Sequence, residues 1–157
     1  MSQCVAVAER VHQSDGYPPF IRGSFLSFLE SPRAEAAWVA EVDEIIVGHV
    51  AVHQTTGIRA MDVASSISGV AKERLRVVAR LLVDPCYRGQ GIGSNLLRTA
   101  TDYILTSGFQ PMLDVGAAFS PAIRLYESNG WGRVGEVRVQ LSDGSALDEI
   151  VYVATSS

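Results

Sequence analysis

Apolar positions along this chain change period several times, and each change marks an element. Val5, Ala8, Val11 and His12 stand at helical spacing across residues 4–13, although Val5 and Val7 also permit a strand. Asp15-Gly16 and Pro18-Pro19 are strong breakers, so residues 13–20 read as a loop. Residues 21–30 return to a helical pattern that Ser31-Pro32 ends. Alternation around Trp38 predicts a strand over 36–42, and Asp43-Glu44 turns it into a second strand over 45–53, forming a hairpin. Residues 55–74 show no clean period and read as a loop with a short helix over the sheet. Residues 76–83 are apolar and β-branched, which suits a central strand. Ile92, Leu96, Ala100, Tyr103 and Ile104 form one stripe of a helix over 92–107. Strands are expected at 112–115, 131–140 and 147–154, the last two joined through Asp143-Gly144. Ala122, Leu125 and Tyr126 share a helical face before Asn129-Gly130, a left-handed stop. Helices and strands therefore alternate, without internal repeat, as in a single α/β domain over residues 1–157.

Candidate chemistry concentrates after the central strand, in Leu81-Leu82-Val83-Asp84-Pro85-Cys86-Tyr87-Arg88-Gly89-Gln90-Gly91-Ile92-Gly93. Closely spaced glycines let backbone N–H groups turn toward one point, and the following helix N-terminus adds partial positive charge there. Arg88 stands at the mouth of the turn, so the segment reads as a seat for a pyrophosphate. A nucleoside-triphosphate loop would need Lys and Ser or Thr after its last glycine, and Ser94-Asn95 follows Gly93 instead. A dinucleotide fingerprint would need a sixth-position glycine where Ser94 stands, and it would open directly at the strand end. Asp114 does lie at about the distance where that fingerprint places an acidic residue. A dinucleotide-binding protein therefore stays as an alternative.

Val83-x-Pro85-x-x-Arg88-Gly89-x-Gly91-Ile92-Gly93 resembles the acetyl-CoA loop of the GNAT superfamily of N-acetyltransferases. Ala122-x-x-Leu125-Tyr126-Glu127-x-x-Gly130-Trp131 is similar to the second motif of that family, and the resemblance covers about residues 36 to 140. It implies a GNAT-type single domain: a central, mixed, strongly twisted sheet flanked by helices. The family usually begins with a strand ahead of its first helix. Here that strand is short, supplied by residues 3–8, or missing; dimer contacts or a partner strand would then cover the exposed edge, as in a homodimer.

The resemblance also implies roles. The pyrophosphate of acetyl-CoA is expected on Arg88, Gly89, Gln90, Gly91, Gly93 and Ser94, with Ile92 beside them, and the pantetheine arm along backbone groups of Leu81, Leu82 and Val83. Phe119, Ala122 and Tyr126 complete the cofactor contacts; many relatives carry an asparagine where Phe119 stands. An amine attacks the thioester directly in a ternary complex, the N–H near Leu82 stabilises the oxyanion, and Tyr126 protonates the departing thiolate. Many relatives place a base glutamate early in the central strand, where this chain has Val77. His49 and His53 share a strand face and titrate in a suitable range, so they are the candidate bases. The competing reading gives the proton to solvent, with His49 structural and His53 a surface residue at the strand end. Asp15, Tyr17 and Phe20 flank the expected acceptor mouth, Asp114 faces the cofactor or simply ends its strand, and Ser120 is expected to cap the helix that Pro121 opens.

Composition narrows the partners. A net charge of −4 argues against a nucleic-acid platform, and Cys4 and Cys86 form neither a disulfide framework nor a paired metal spacing. No metal is expected. No apolar run reaches the roughly 20 residues of a membrane span, and no export signal opens the chain, so no membrane partner and a cytoplasmic setting are expected. The function read from the sequence is acetyl transfer to a small-molecule or peptide amine. A non-catalytic acyl-CoA sensor or partner subunit is the alternative, motivated by Val77 and Phe119.

Overall fold

The structure is a computed structural model describing residues 1–19, 21 and 23–154. Phe20 lies outside the described residues. The elements run α1 (Ser2–Asp15), α2 (Phe25–Leu29), β1 (Ala34–Val42), β2 (Ile45–His53), α3 (Ile58–Ser68), β3 (Leu75–Val83), α4 (Ile92–Thr106), β4 (Gln110–Gly116), α5 (Ser120–Ser128), β5 (Trp131–Gln140) and β6 (Ala146–Ala154). Six strands form one sheet in the order β1-β2-β3-β4-β6-β5. It is mixed: β3 runs parallel to β4, whereas β1–β2, β4–β6 and β5–β6 are antiparallel. Among the described residues no helix is long and apolar enough to cross a membrane. The chain forms two compact units, residues 1–53 with 78–100, and residues 54–77 with 101–157.

In the first unit, α1 buries Cys4, Val7, Ala8 and Val11 against Phe28 and Leu29 of α2 and Leu82 of β3. That buried set repeats every three or four residues, so the helix prevails over the strand that Val5 and Val7 allow. No strand forms at residues 3–8, which corrects that option. Gly16, at φ 71°, ends α1 by donating its N–H to the His12 carbonyl at 2.8 Å. The second helix is shorter than its pattern suggests. Gly23 sits at φ 82°, and Ser24 and Ser27 form a capping box, so the helix starts only at Phe25. The hairpin turn between β1 and β2 is confined to Asp43 and Glu44, at φ 51° and 66°, the two positive values a tight two-residue turn needs. Gly48 of β2 marks a close approach. A Cβ there would meet the Leu82 carbonyl oxygen at 3.1 Å and Leu96 Cδ1 at 2.9 Å.

In the second unit, β6 lies between β4 and β5, with Asp114 opposite Val151 and Gly116 opposite Glu149. The stretch without a clean period contains α3, a full helix of 11 residues. It buries only Ala60, Met61 and Ala64 while Ile58 and Ile67 are exposed, so small residues carry its inner stripe and the apolar pattern misleads. It packs so closely that a Cβ on Gly135 of β5 would meet Val63 Cγ1 at 2.7 Å. Helix α5 starts at Ser120 with Phe119 at the cap position and no capping side chain, so Ser120 does not cap it as expected; Pro121 occupies the first turn. The residue before proline resists helical geometry, yet here it is drawn into the first turn.

Candidate active site

The glycine turn is built from the chain between β3 and α4. Asp84 ends the strand and caps a 3-10 turn, Pro85–Tyr87, accepting the Cys86 N–H at 3.0 Å. Its carboxylate is buried and paired with Arg10 of α1, whose Nε donates at 2.8 Å. Burial would raise its pKa, but the Cys86 N–H and Arg10 outweigh that and hold it below the usual range. Gly89 and Gly91 follow at φ 80° and 81°, and open space surrounds the Cβ position of each. Backbone conformation, not crowding, therefore demands glycine at both positions. Helix α4 opens at Ile92, 15 residues long, with Gly93 and Ser94 in its first turn. Gly89, Gln90 and Gly91 are exposed, and Leu81, Val83, Ile92, Gly93 and Ser94 are half-buried.

Arg88 is engaged. Its two terminal nitrogens donate to the two carboxylate oxygens of Asp15 at 3.0 and 2.7 Å, and Arg88 holds the Asp15 carboxyl below its ordinary pKa. Asp15, expected only near the acceptor mouth, thus sits on Arg88. An Asp-Pro pair after a strand signals the Asp84 cap in the sequence. Nothing in the sequence pairs Arg10 with Asp84 or Asp15 with Arg88.

His49 and His53 lie in the same unit. Both are buried, at 3% and 2% exposure, so the expectation of a surface His53 is corrected: β2 is covered along its inner length. The His49 Nδ1–H donates to the Arg80 carbonyl at 2.8 Å, which leaves Nε2 as the unprotonated nitrogen. Burial pushes the His49 pKa down. It pushes His53 down to about 4, with the charges of Arg80, Arg33 and His49 adding to the effect. His53 Nε2 is buried without a hydrogen-bond partner. Both imidazoles are therefore held toward the neutral form. Arg80 itself adopts φ 56°, a bulge-like kink in β3.

The second unit holds Phe119, Ala122 and Tyr126. Tyr126 is buried, with its ring centroid 6.1 Å from Tyr152 and 6.4 Å from Trp131. Phe119 packs so closely over Gly116 that a Cβ there would meet its ring at 2.7 Å, which fits a packing role in place of an amide. Val77 is buried opposite Met112, so no carboxylate occupies that strand position. A group the sequence does not single out stands elsewhere in this unit. Glu149 is hydrogen-bonded to Asp114, and the Thr56 hydroxyl donates to Asp114 Oδ1 at 2.9 Å. Burial, then the Asp114 charge and hydrogen bond, push the Glu149 pKa up to about 8. Strand register creates this pair, and alternation along β6 alone does not reveal it.

Residues 7–131 match the family described as the Acetyltransferase (GNAT) family. Human N-acetyltransferase 8B is 31% identical over 133 residues, covering 84% of this chain and 50% of that protein. The chain spans about half the length of the curated relatives it matches. Among solved structures, Arabidopsis thaliana NAA60 in complex with a bisubstrate analogue superposes with a TM-score of 0.68 at 22% identity, covering 98% of this chain and 94% of that one. The yncA protein of Salmonella typhimurium, with its cofactor acetyl-CoA, gives 0.65 at 17% identity, covering 97% and 87%.

Proposed function

The chain belongs to the GNAT acetyltransferase family, and from that premise we propose that it moves the acetyl group of acetyl-CoA onto a primary amine of a small molecule or peptide. One observation carries the reading: Arg88, Gly89 and Gly91 form a turn with two left-handed glycines that runs straight into a 15-residue helix. Backbone N–H groups at such a helix start suit a diphosphate. The acetyl-CoA bound by yncA and the bisubstrate analogue bound by NAA60 support the same chemistry. The proposal takes residues 1–157 as one working domain in the cytoplasm. The net charge of −4 supports an acceptor other than nucleic acid. The strand β1 ends the sheet order and carries the homodimer part of the proposal.

In this reading Arg88 and the turn from Gly89 to Ser94 hold the pyrophosphate, and Leu81, Leu82 and Val83 align the pantetheine through their backbone. The Leu82 N–H steadies the oxyanion formed when the amine attacks. Phe119 and Ala122 pack along the cofactor, and the Tyr126 hydroxyl protonates the leaving thiolate. His49, through Nε2, and His53 remain candidate proton acceptors. Their depressed pKa keeps them neutral but makes them weak bases near pH 7. The dinucleotide reading falls with the family assignment. The non-catalytic acyl-CoA binder is the second reading, favoured by buried Val77 and by Phe119 over Gly116.

Thiol release from acetyl-CoA, measured against polyamines, aminoglycosides, amino acids and peptides, separates the two readings. Turnover with an amine supports the enzyme, and tight binding without any turnover supports the binder. Tyr126→Phe keeps the ring among Trp131 and Tyr152 and removes only the hydroxyl. It should lower kcat by roughly 10²-fold or more while acetyl-CoA affinity changes within a few-fold. Full turnover by the variant would remove Tyr126 from the mechanism.

A further inference from the structure

In the first unit, one arginine ties three elements together. Arg80 of β3 donates its Nε–H to the Phe28 carbonyl of α2 at 3.1 Å and lays its guanidinium over the Phe28 ring, 4.0 Å from the centroid. Tyr17, expected at the acceptor mouth, meets the same ring edge-on, with centroids 6.0 Å apart. From β2, His49 donates to the Arg80 carbonyl at 2.8 Å. Among the described residues outside the β1–β2 turn, Arg80 is the only non-glycine residue at positive φ, 56°. A long side chain does not favour that conformation by itself, so its contacts must hold it there. Strain of this kind clusters at binding and catalytic sites.

We propose that Arg80 selects the acceptor: its guanidinium binds a carboxylate carried beside the reacting amine, so the acceptor is an amino acid rather than a polyamine or an aminoglycoside. The inference rests on the transferase reading above. Arg80 directly precedes Leu81, Leu82 and Val83, the backbone proposed to align the pantetheine. At the rise of a strand its Cα lies roughly 7 Å from that of Leu82. An acceptor held by its carboxylate on Arg80 therefore brings its amine to the same short stretch of β3. The planar guanidinium matches a planar carboxylate through paired N–H···O bonds, a geometry that an ammonium or a sugar hydroxyl does not offer.

The local field has the sign this requires. Burial first, then the charges of Arg80, Arg33 and His49, bring the His53 pKa down to about 4. Near pH 7 that imidazole adds no charge, and the two arginines set the potential around it. Arg33 is exposed, whereas Arg80 is half-buried and its charge is less screened by solvent. A polycation is repelled there, which discriminates against polyamines as the carboxylate contact discriminates for amino acids. Arg80 also anchors α2, since its Nε–H ends on the last turn of that five-residue helix. Anchoring alone would make Arg80 matter for stability and leave the enzyme indifferent to the charge beside the amine.

Pairs of acceptors that differ only at the carboxyl, amino acids against their amides, test the assignment through kcat/KM referred to the free-amine fraction. The wild type should prefer the carboxylate by about tenfold or more, with KM carrying the difference, and the preference should weaken as salt rises. Arg80→Gln should bring the ratio to about one, and Arg80→Lys, which keeps the charge without the planar fork, should retain part of it. Melting temperature and acetyl-CoA affinity, measured beside each ratio, separate a lost acceptor contact from a loosened α2. A wild type that uses amide and carboxylate alike, or a glutamine variant that keeps the preference, overturns the proposal and leaves the transferase reading standing. Should the glutamine variant not fold, the wild-type ratio and the lysine variant decide: a ratio near one in the first, or an undiminished ratio in the second, overturns it. A wild-type protein that binds acetyl-CoA yet turns over no amine overturns both.

Discussion

Arg88 has the two carboxylate oxygens of Asp15 against it, and the pyrophosphate proposed above would meet its other N–H donors. The pair is partly exposed, at 35% for Arg88 and 26% for Asp15, so its own stability contribution is about 0–1 kcal/mol. A charge-assisted phosphate contact is worth about 1.5–3 kcal/mol. Arg88→Ala should therefore leave the fold intact and weaken acetyl-CoA binding about tenfold or more, as read by calorimetric titration; unchanged affinity would defeat the turn's assignment. The same pair sets a pH dependence. Asp15 has a depressed pKa in the folded chain, so its stabilisation is complete above the unfolded carboxyl value, about 4, and disappears as pH falls through the folded value. Melting temperatures of wild type and Asp15→Asn should differ by a constant amount from pH 5 to 7 and converge on further acidification. A gap that persists into acid would mean that the pair is not formed in solution.

At the scale of elements, β2 packs against the strand and helix that flank the glycine turn, and its Val47 carbonyl accepts the Asp84 N–H at 2.8 Å. Gly48 lets β2 approach the Leu82 carbonyl of β3 and the Leu96 tip of α4. The Leu96 methyl can rotate away, but the carbonyl belongs to a strand and cannot yield without moving it. Gly48→Ala should cost about 1–3 kcal/mol through overpacking, lowering Tm by several degrees. Acetyl-CoA should also bind more weakly, since the strand that would line the pantetheine and the helix that would receive the pyrophosphate are both displaced. A variant with unchanged Tm and affinity would show that the approach is looser than 3.1 Å implies. Element positions were largely legible in the sequence where local chemistry is strong. Asp43-Glu44, Gly89, Gly91 and Gly144 all adopt positive φ at the turns where the sequence places them. Helix α3 was the weakest reading, because Ala60 and Ala64 form its inner face and exposed Ile58 and Ile67 mark the wrong one.

For the molecule as a whole, β1 and β5 are the two ends of the sheet, and β1 carries the proposed contact between copies. β1 terminates the strand order, alternates between half-buried and exposed residues along its length, and shows Val39 at the surface. If two copies pair through this edge, sedimentation should give a dimer, and Val39→Lys should shift it to monomer without loss of Tm, because charge on an edge strand opposes strand addition. A wild-type chain that sediments as a monomer over micromolar concentrations would exclude the edge-paired homodimer.

Period, turn chemistry and the two motifs were sufficient by themselves to order the elements, to place the glycine turn before α4 and to put Tyr126 on a buried helical face. These properties depend on residues within about one turn or one hairpin of each other, and such neighbours are written side by side in the chain. Tertiary structure alone decided which charges meet. Asp15 reaches Arg88 across 73 positions and Arg10 reaches Asp84 across 74, while strand register brings Glu149 to Asp114. It also decided that His53, at the end of a strand, is buried. Periodicity tells which face of an element turns inward, but the partner of a charge, and the solvent it loses, come from segments the chain reaches only by folding.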